Sequence, residues 1–314
     1  MSKQIAFLFP GQGSQHAGMG RDLYEHFPSA REVFDEADSA LGLSLSQLCF
    51  EGPEDQLKRT ENTQPAILTV SVAAVRVLAE HGVHAHFAAG HSLGEYSAHV
   101  AAGTLSFADA VRLVRMRGRY MQEAVPAGQG TMAAILAMPA ELVAAACADA
   151  AKETGEIVSA ANLNSLEQTV ISGSVAAVER AAALCKERGA KRAVLLPVSA
   201  PFHCALMQPA QERLAADLGK LAFYPPQFPV VCNVDAEFAT TGGAARDALV
   251  RQVTGAVRWV ECMRSLIGAG VTHFVEVGPR KVLCGLMHQI DRSQTCLHVE
   301  DRASLEKTLA ALAG

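Results

Sequence analysis

Residues 87–94 read Phe-Ala-Ala-Gly-His-Ser-Leu-Gly, a short apolar run that breaks at Gly90 and gives way, from Leu93 to about Ala102, to a helix-like stretch. The pentapeptide Gly90-His91-Ser92-Leu93-Gly94 matches G-x-S-x-G and stands between a predicted strand and a predicted helix. Glycines there permit a tight, strained turn that lifts the serine hydroxyl out at the end of a sheet. The helix that follows offers free backbone N–H groups, and the positive end of its dipole, to a developing oxyanion. Such a turn needs a layered α/β body, in which a buried strand feeds a helix that packs back on the sheet. An ordinary glycine-bounded turn with an N-cap serine would carry the same five residues, so the pentapeptide alone leaves both readings open.

The rest of the chain can supply that body. It has 314 residues, half of them apolar and 19% charged, enough to bury a large core in one domain or two. With 27 Lys and Arg against 32 Asp and Glu, the net charge of −5 argues against sequence-independent nucleic-acid binding. No apolar run approaches the ~20 residues of a membrane span. The opening segment is too short in apolar residues for a signal peptide, and Gln4–Phe9 reads as a first core strand ended by Pro10-Gly11-Gln12-Gly13. Eight cysteines (Cys49, Cys147, Cys185, Cys204, Cys232, Cys262, Cys284, Cys296) show no CxxC or CxxxC spacing and mostly have apolar neighbours. They read as small buried hydrophobes of a protein in a reducing, cytoplasmic compartment, with no metal site expected.

Hydrophobic patterning divides the chain. A buried helix is predicted to begin around Pro65 and run towards Glu80, and an amphipathic helix to span 107–123 behind a Ser106/Asp109 capping box. Residues 131–138, 157–163, 167–172 and 191–198 read as strands, with helices at 139–153 and 174–189. That β-α-β-β-α-β order is the ferredoxin-like signature. Two further apolar strands follow at 228–232 and 273–277. The expected architecture is α/β: an α/β-hydrolase-like large domain with a mainly parallel sheet, made of 1–127 and 199–314, and an inserted ferredoxin-like subdomain at 128–198.

A serine nucleophile needs a base, because a free hydroxyl is hardly ionised at neutral pH. Of the eleven histidines, His91 adjoins Ser92 and would point away from it; His81, His84 and His86 cluster in a polar loop; His16, His26, His99, His273, His288 and His298 have no distinguishing context. His203 follows a predicted strand in a loop stiffened by Pro197 and Pro201, which suits a base. On the 107–123 helix, Arg112, Arg115 and Arg119 share one stripe about 60° wide, while Arg117 lies about 140° from Arg112 among Ala110, Leu113, Val114 and Met121. A guanidinium on an apolar face must be paired. Either it forms an internal salt bridge, or it grips a substrate carboxylate with its planar fork.

Six ordered stretches then coincide with one family: Gly11-Gln12-Gly13-Ser14-Gln15, Thr63-Gln64-Pro65-Ala66, Gly90–Tyr96, Arg117-Gly118, Phe202-His203 and Glu276-Val277-Gly278-Pro279. From about residue 4 to 310 the chain resembles the acyltransferase family of fatty-acid and polyketide synthesis. The resemblance implies a ping-pong transfer of malonyl from malonyl-CoA to the phosphopantetheine thiol of acyl carrier protein, through an ester on Ser92, with no cofactor. It assigns His203 as base, a carbonyl at Gln252 as the group that orients it, the N–H groups of Gln12 and Leu93 as oxyanion hole, and Arg117 as the carboxylate grip. Phe202 would crowd a branched acyl group, and Asn162-Leu163-Asn164-Ser165 resembles a stretch near the cleft or is a plain polar strand end. Arg280 stands where the family commonly has Gly, which puts the local turn in question and adds a charge that could meet CoA phosphates or the carrier protein. Coenzyme A thioester and acyl carrier protein are the expected partners of what reads as a monomer, with no nucleic acid and no membrane. A serine hydrolase would share Ser92 and His203 without needing Arg117, and a non-catalytic carrier-docking module would need none of them.

Overall fold

The computed structural model describes residues 3–198 and 200–313. Among the described residues, ten strands form two sheets. The larger contains β1 (Ile5–Phe9), β2 (Phe87–Gly90), β7 (Val230–Val231), β8 (Phe238–Ala239), β9 (His273–Val277) and β10 (Thr295–Val299), in the order β10-β9-β1-β2-β7-β8. Every pairing is parallel except β7 with β8. In β1, Phe7 and Phe9 face the larger core cluster with the Thr60–Glu80 and Phe107–Glu123 helices, while Ala6 and Leu8 face Trp259 and Leu283. Burial on both faces explains why this strand reads as a continuous apolar run rather than an alternating one.

The smaller sheet is antiparallel and holds β3 (Gly130–Leu136), β4 (Val158–Ser165), β5 (Gln168–Ser174) and β6 (Arg192–Leu195), in the order β4-β5-β3-β6. With its two helices, Ala140–Thr154 and Val175–Glu187, it has the β-α-β-β-α-β order and a core of its own built on Ile135, Ala146, Ile171 and Ala181. β4 ties it to the larger body through Leu163 N–H to Val257 O and Val257 N–H to Ala161 O, at 2.9 and 2.8 Å. The boundary expected at 198/199 falls on Ser199, outside the described residues.

Several expectations shift. The buried helix begins at Thr60, not Pro65, so Pro65 sits inside it. The strand expected at 228–232 is only Val230–Val231, and β8 and β10 have no counterpart in the sequence reading. In β10 a half-buried edge mixes Thr295 and His298 with apolar residues, which hides the strand pattern. The Ser106 cap is as expected: its Oγ accepts from Asp109 N–H. The cysteines need a correction, because Cys284 and Cys296 form a disulfide with Cα atoms 5.4 Å apart. The β9–helix–β10 crossover brings them together across twelve residues, a proximity that no CxxC scan detects. The other six are free and buried.

Glu276, at the end of β9, is fully buried and caps the Val282–Ile290 helix: Oε1 accepts from Val282 and Leu283 N–H at 3.0 and 2.9 Å, and Oε2 from Cys284 N–H at 2.8 Å. Glu276→Ala orphans three backbone donors, two of them buried, and is expected to lower unfolding free energy by about 2–3 kcal/mol. Urea denaturation checks this, and a loss under about 0.5 kcal/mol would mean that the helix end finds other acceptors.

Candidate active site

β1 and β2 end side by side, and their C-terminal edge carries the site, where parallel α/β sheets place their ligands. Ser92 connects β2 to the Leu93–Ala101 helix at φ 52°, ψ −102°, a backbone that side chains rarely adopt. The glycines around it are sterically required. A Cβ on Gly94 would lie 2.0 Å from Phe9 O, and one on Gly90 would lie 1.9 Å from the Gly94 carbonyl. Asn233, just past β7, clamps the turn: Ser92 N–H donates to its Oδ1 at 2.7 Å, and its Nδ2 donates to Gly90 O at 2.8 Å.

His203 comes from the far side of the chain and is also left-handed, at φ 60°. Its Nε2 lies 2.7 Å from Ser92 Oγ and its Nδ1 2.9 Å from Gln252 O. A carbonyl can only accept, so Nδ1 carries the proton and Nε2 presents its lone pair to the serine. Burial, and then the charge of Arg117, pull His203 down to about 3, so the ring is neutral at neutral pH, the form a general base requires.

Arg117 is 2% exposed and reaches the same point. Its Nη1 donates to Gln64 Oε1 at 2.9 Å, and its Nη2 donates to Gln252 Oε1 at 2.9 Å and to Ser92 Oγ at 3.1 Å. Its carbon lies 5.3 Å from the centre of the Tyr96 ring. Among the described residues no carboxylate pairs with it, which removes the internal salt bridge as an explanation. Arg112 and Arg119 are exposed and Arg115 half-buried, as the helical offset requires.

These groups open on a cavity of about 190 Å3 that also includes Gln12, Leu93 and Phe202, with Met132, Asn162, Asn164 and Val170 from the smaller sheet. Leu93 is the first residue of its helix, so its N–H has no intrahelical acceptor. Gln12 can come close because Gly11 has no side chain; a Cβ there would lie 2.5 Å from His91 O. His91 turns away from the serine, with Nε2 2.8 Å from Asn164 Oδ1 and its ring against Trp259. A wider cleft of about 860 Å3, walled by Arg76, His84 and Phe228, lies at the opposite end of the strands and contains no serine, threonine, cysteine or lysine. The turn forms without the family's glycine: Arg280 itself takes φ 65°, and its N–H donates to Glu300 Oε2 at 2.6 Å.

Sequence reasoning missed Asn233 and Glu95, whose partners lie more than 130 residues away. Glu95 is fully buried, and its Oε2 accepts from Asn233 N–H at 2.9 Å and Gln252 Nε2 at 2.8 Å. Burial pushes its carboxyl up to about 7. Behind it, among the described residues, Glu95, His99 and Cys232 bring buried ligand atoms within 4.8 Å of one another, a set that could hold a metal ion. His99 had no distinguishing context in the sequence, yet it is fully buried with neither ring nitrogen bonded.

The acyl transferase domain family matches residues 6–306, nearly the whole chain. The chain belongs to that family. It is 50% identical over 307 residues to the malonyl CoA-acyl carrier protein transacylase of Escherichia coli, covering 98% of this chain and 99% of that protein. An acyl carrier protein S-malonyltransferase from Vibrio cholerae superposes with a TM-score of 0.95 at 48% identity, over 98% of this chain and 100% of that one. A malonyl-transacylase solved in complex with its type II PKS acyl-carrier protein gives a TM-score of 0.95 at 47% identity, again over 98% and 100%.

His99 yields a pH prediction. Burial holds it down to about 4 against an ordinary 6.5, so between those values the unfolded chain binds more protons than the folded one. Stability therefore falls as pH drops through that window. His99→Leu removes this contribution, and its stability advantage over the parent chain should grow as pH falls from about 7 to about 4. Urea midpoints at several pH values measure it, and a difference that does not vary with pH would contradict it.

Proposed function

We propose that this acyltransferase moves a malonyl group from malonyl-CoA to the phosphopantetheine thiol of acyl carrier protein, by a ping-pong route through a malonyl ester on Ser92. One observation carries this reading: a buried guanidinium, bonded only to neutral acceptors, lies 3.1 Å from the nucleophile. A site that attacks an acyl group bearing a free carboxylate needs that charge at that distance. The names of its relatives point the same way.

The chemistry follows from the hydrogen bonds. His203 Nε2 accepts the Ser92 proton as Oγ attacks the thioester carbonyl, and the Nδ1–H bond to Gln252 O stabilises the imidazolium that forms. The N–H groups of Gln12 and Leu93 receive the oxyanion. The C–S bond breaks, and the coenzyme A thiolate takes the proton back from His203. Carrier-protein thiol then gives its proton to His203 and attacks the ester carbonyl; the C–O bond breaks, and Ser92 Oγ leaves with the proton from His203 Nε2, which restores both groups. Acyl transfer between two thiols changes no oxidation state, so the scheme needs no cofactor.

In the resting site Ser92 Oγ accepts from Arg117 while facing His203. A malonyl carboxylate draws the guanidinium to itself and leaves the oxygen free to attack. Phe202 lines the same cavity, and its ring disfavours a branched acyl chain by about 1–3 kcal/mol. Every reacting group comes from one chain, consistent with a monomer. A serine hydrolase would leave Arg117 without work, and the group on His203 Nδ1 is a carbonyl rather than the usual acid.

Intact-mass measurement after mixing with malonyl-CoA tests the reading. One malonyl group should appear on Ser92, persist in water, and leave on addition of acyl carrier protein; Ser92→Ala should show none. Free malonate without a lasting adduct would establish a hydrolase instead.

A further inference from the structure

Glu95 lies one turn beyond Ser92, and a single oxygen of it holds two residues that between them bond Ser92, His203 and Arg117. Its Oε2 accepts from Asn233 N–H and from Gln252 Nε2. Asn233 binds both sides of the strained turn, through Ser92 N–H and Gly90 O. Gln252 donates from Nε2 to Ser92 O at 3.0 Å, accepts from Arg117 at Oε1, and orients His203 with its backbone carbonyl. The other carboxylate oxygen, Oε1, is buried without a hydrogen bond, 4.0 Å from His99 Nε2. A carboxylate kept in the core with one oxygen unbonded is a costly way to stabilise a fold. Its bonded oxygen is the point on which the nucleophile, the base and the guanidinium converge.

We propose that Glu95 is a positioning residue for acyl transfer: through Gln252 and Asn233, its Oε2 holds Ser92, His203 and Arg117 in register for attack. This rests on the acyl-transfer reading above. What Glu95 supplies is an acceptor for two donors. Glutamine provides one as well, through its amide oxygen; alanine provides none, and aspartate withdraws it by one methylene. Misplacement of a reacting group by about 1 Å costs on the order of 100-fold in rate.

Rapid-quench measurement of Ser92 malonylation separates this from a purely structural role, because amplitude counts competent sites while rate reports alignment. In Glu95→Ala the burst rate should fall about 100-fold at an amplitude near one malonyl per folded chain. The KM for malonyl-CoA should stay within about threefold, since Gln64 still holds Arg117. Glu95→Gln should recover the rate to within about fivefold. If Glu95→Ala does not fold, Glu95→Asp carries the test, with an expected loss of about 10-fold or more. Parental burst rates with reduced amplitude in the alanine or aspartate variant would overturn the proposal, as would a glutamine variant as slow as alanine. The parent chain's own burst is the control: its absence would defeat the acyl-transfer reading, whereas its presence leaves the variants to judge Glu95 alone.

Discussion

A guanidinium without an anionic partner sets the terms for the rest of the site. An ion taken out of water must be compensated. For Arg117 the compensation comes from two amide oxygens, one hydroxyl and the face of Tyr96. Because no carboxylate among the described residues is in ion-pair contact with it, its charge acts on the groups nearby. It adds to burial in keeping His203 unprotonated, and it works against the rise of the Glu95 carboxyl. Its Nη2 reaches Ser92 Oγ directly, so the buried charge and the serine hydroxyl share one point of the site.

Two strained residues make that geometry possible. Ser92 and His203 both have positive φ, each costing about 1–3 kcal/mol, and such backbones persist only where the surroundings over-determine them. Here the surroundings are the parallel ends of β1 and β2, two glycines with no room for a Cβ, and the side chains of Asn233 and Gln252. The large sheet serves as a rigid platform. The smaller sheet closes the cavity with Met132, Asn164 and Val170, a wall part polar and part apolar.

What could be read in the sequence was local. The strand–turn–helix around Ser92, the Ser106 cap, the two-sheet plan and the odd helical position of Arg117 each depend on periodicity or on adjacent residues, and the structure contains them all; of the capping box it keeps the Ser106 half. Gln252 entered only by family resemblance, and only through its carbonyl; its side chain does as much, bonding Ser92 O, Arg117 and Glu95. Glu95 stood inside the Gly90–Tyr96 stretch without a role, and Asn233 and His99 carried no local signal, because their meaning lies in contacts that tertiary folding creates. The same is true of the Cys284–Cys296 bridge, made by a crossover, and of β10, whose half-buried edge blurs its pattern. Pro65 misled in the other direction, since a helix start was read at a proline that the helix in fact contains.

Together these features make one claim, that the buried charge of Arg117 selects the acyl group. The most direct test compares single-turnover acylation of Ser92 by malonyl-CoA and by acetyl-CoA in the parent chain and in Arg117→Ala. Loss of a charge-assisted bidentate contact of about 2–4 kcal/mol predicts a fall of about 30- to 1000-fold for malonyl. Acetyl, which has no carboxylate to bind, should change far less. Equal losses for both acyl groups would make Arg117 a structural support of the serine turn and contradict the account.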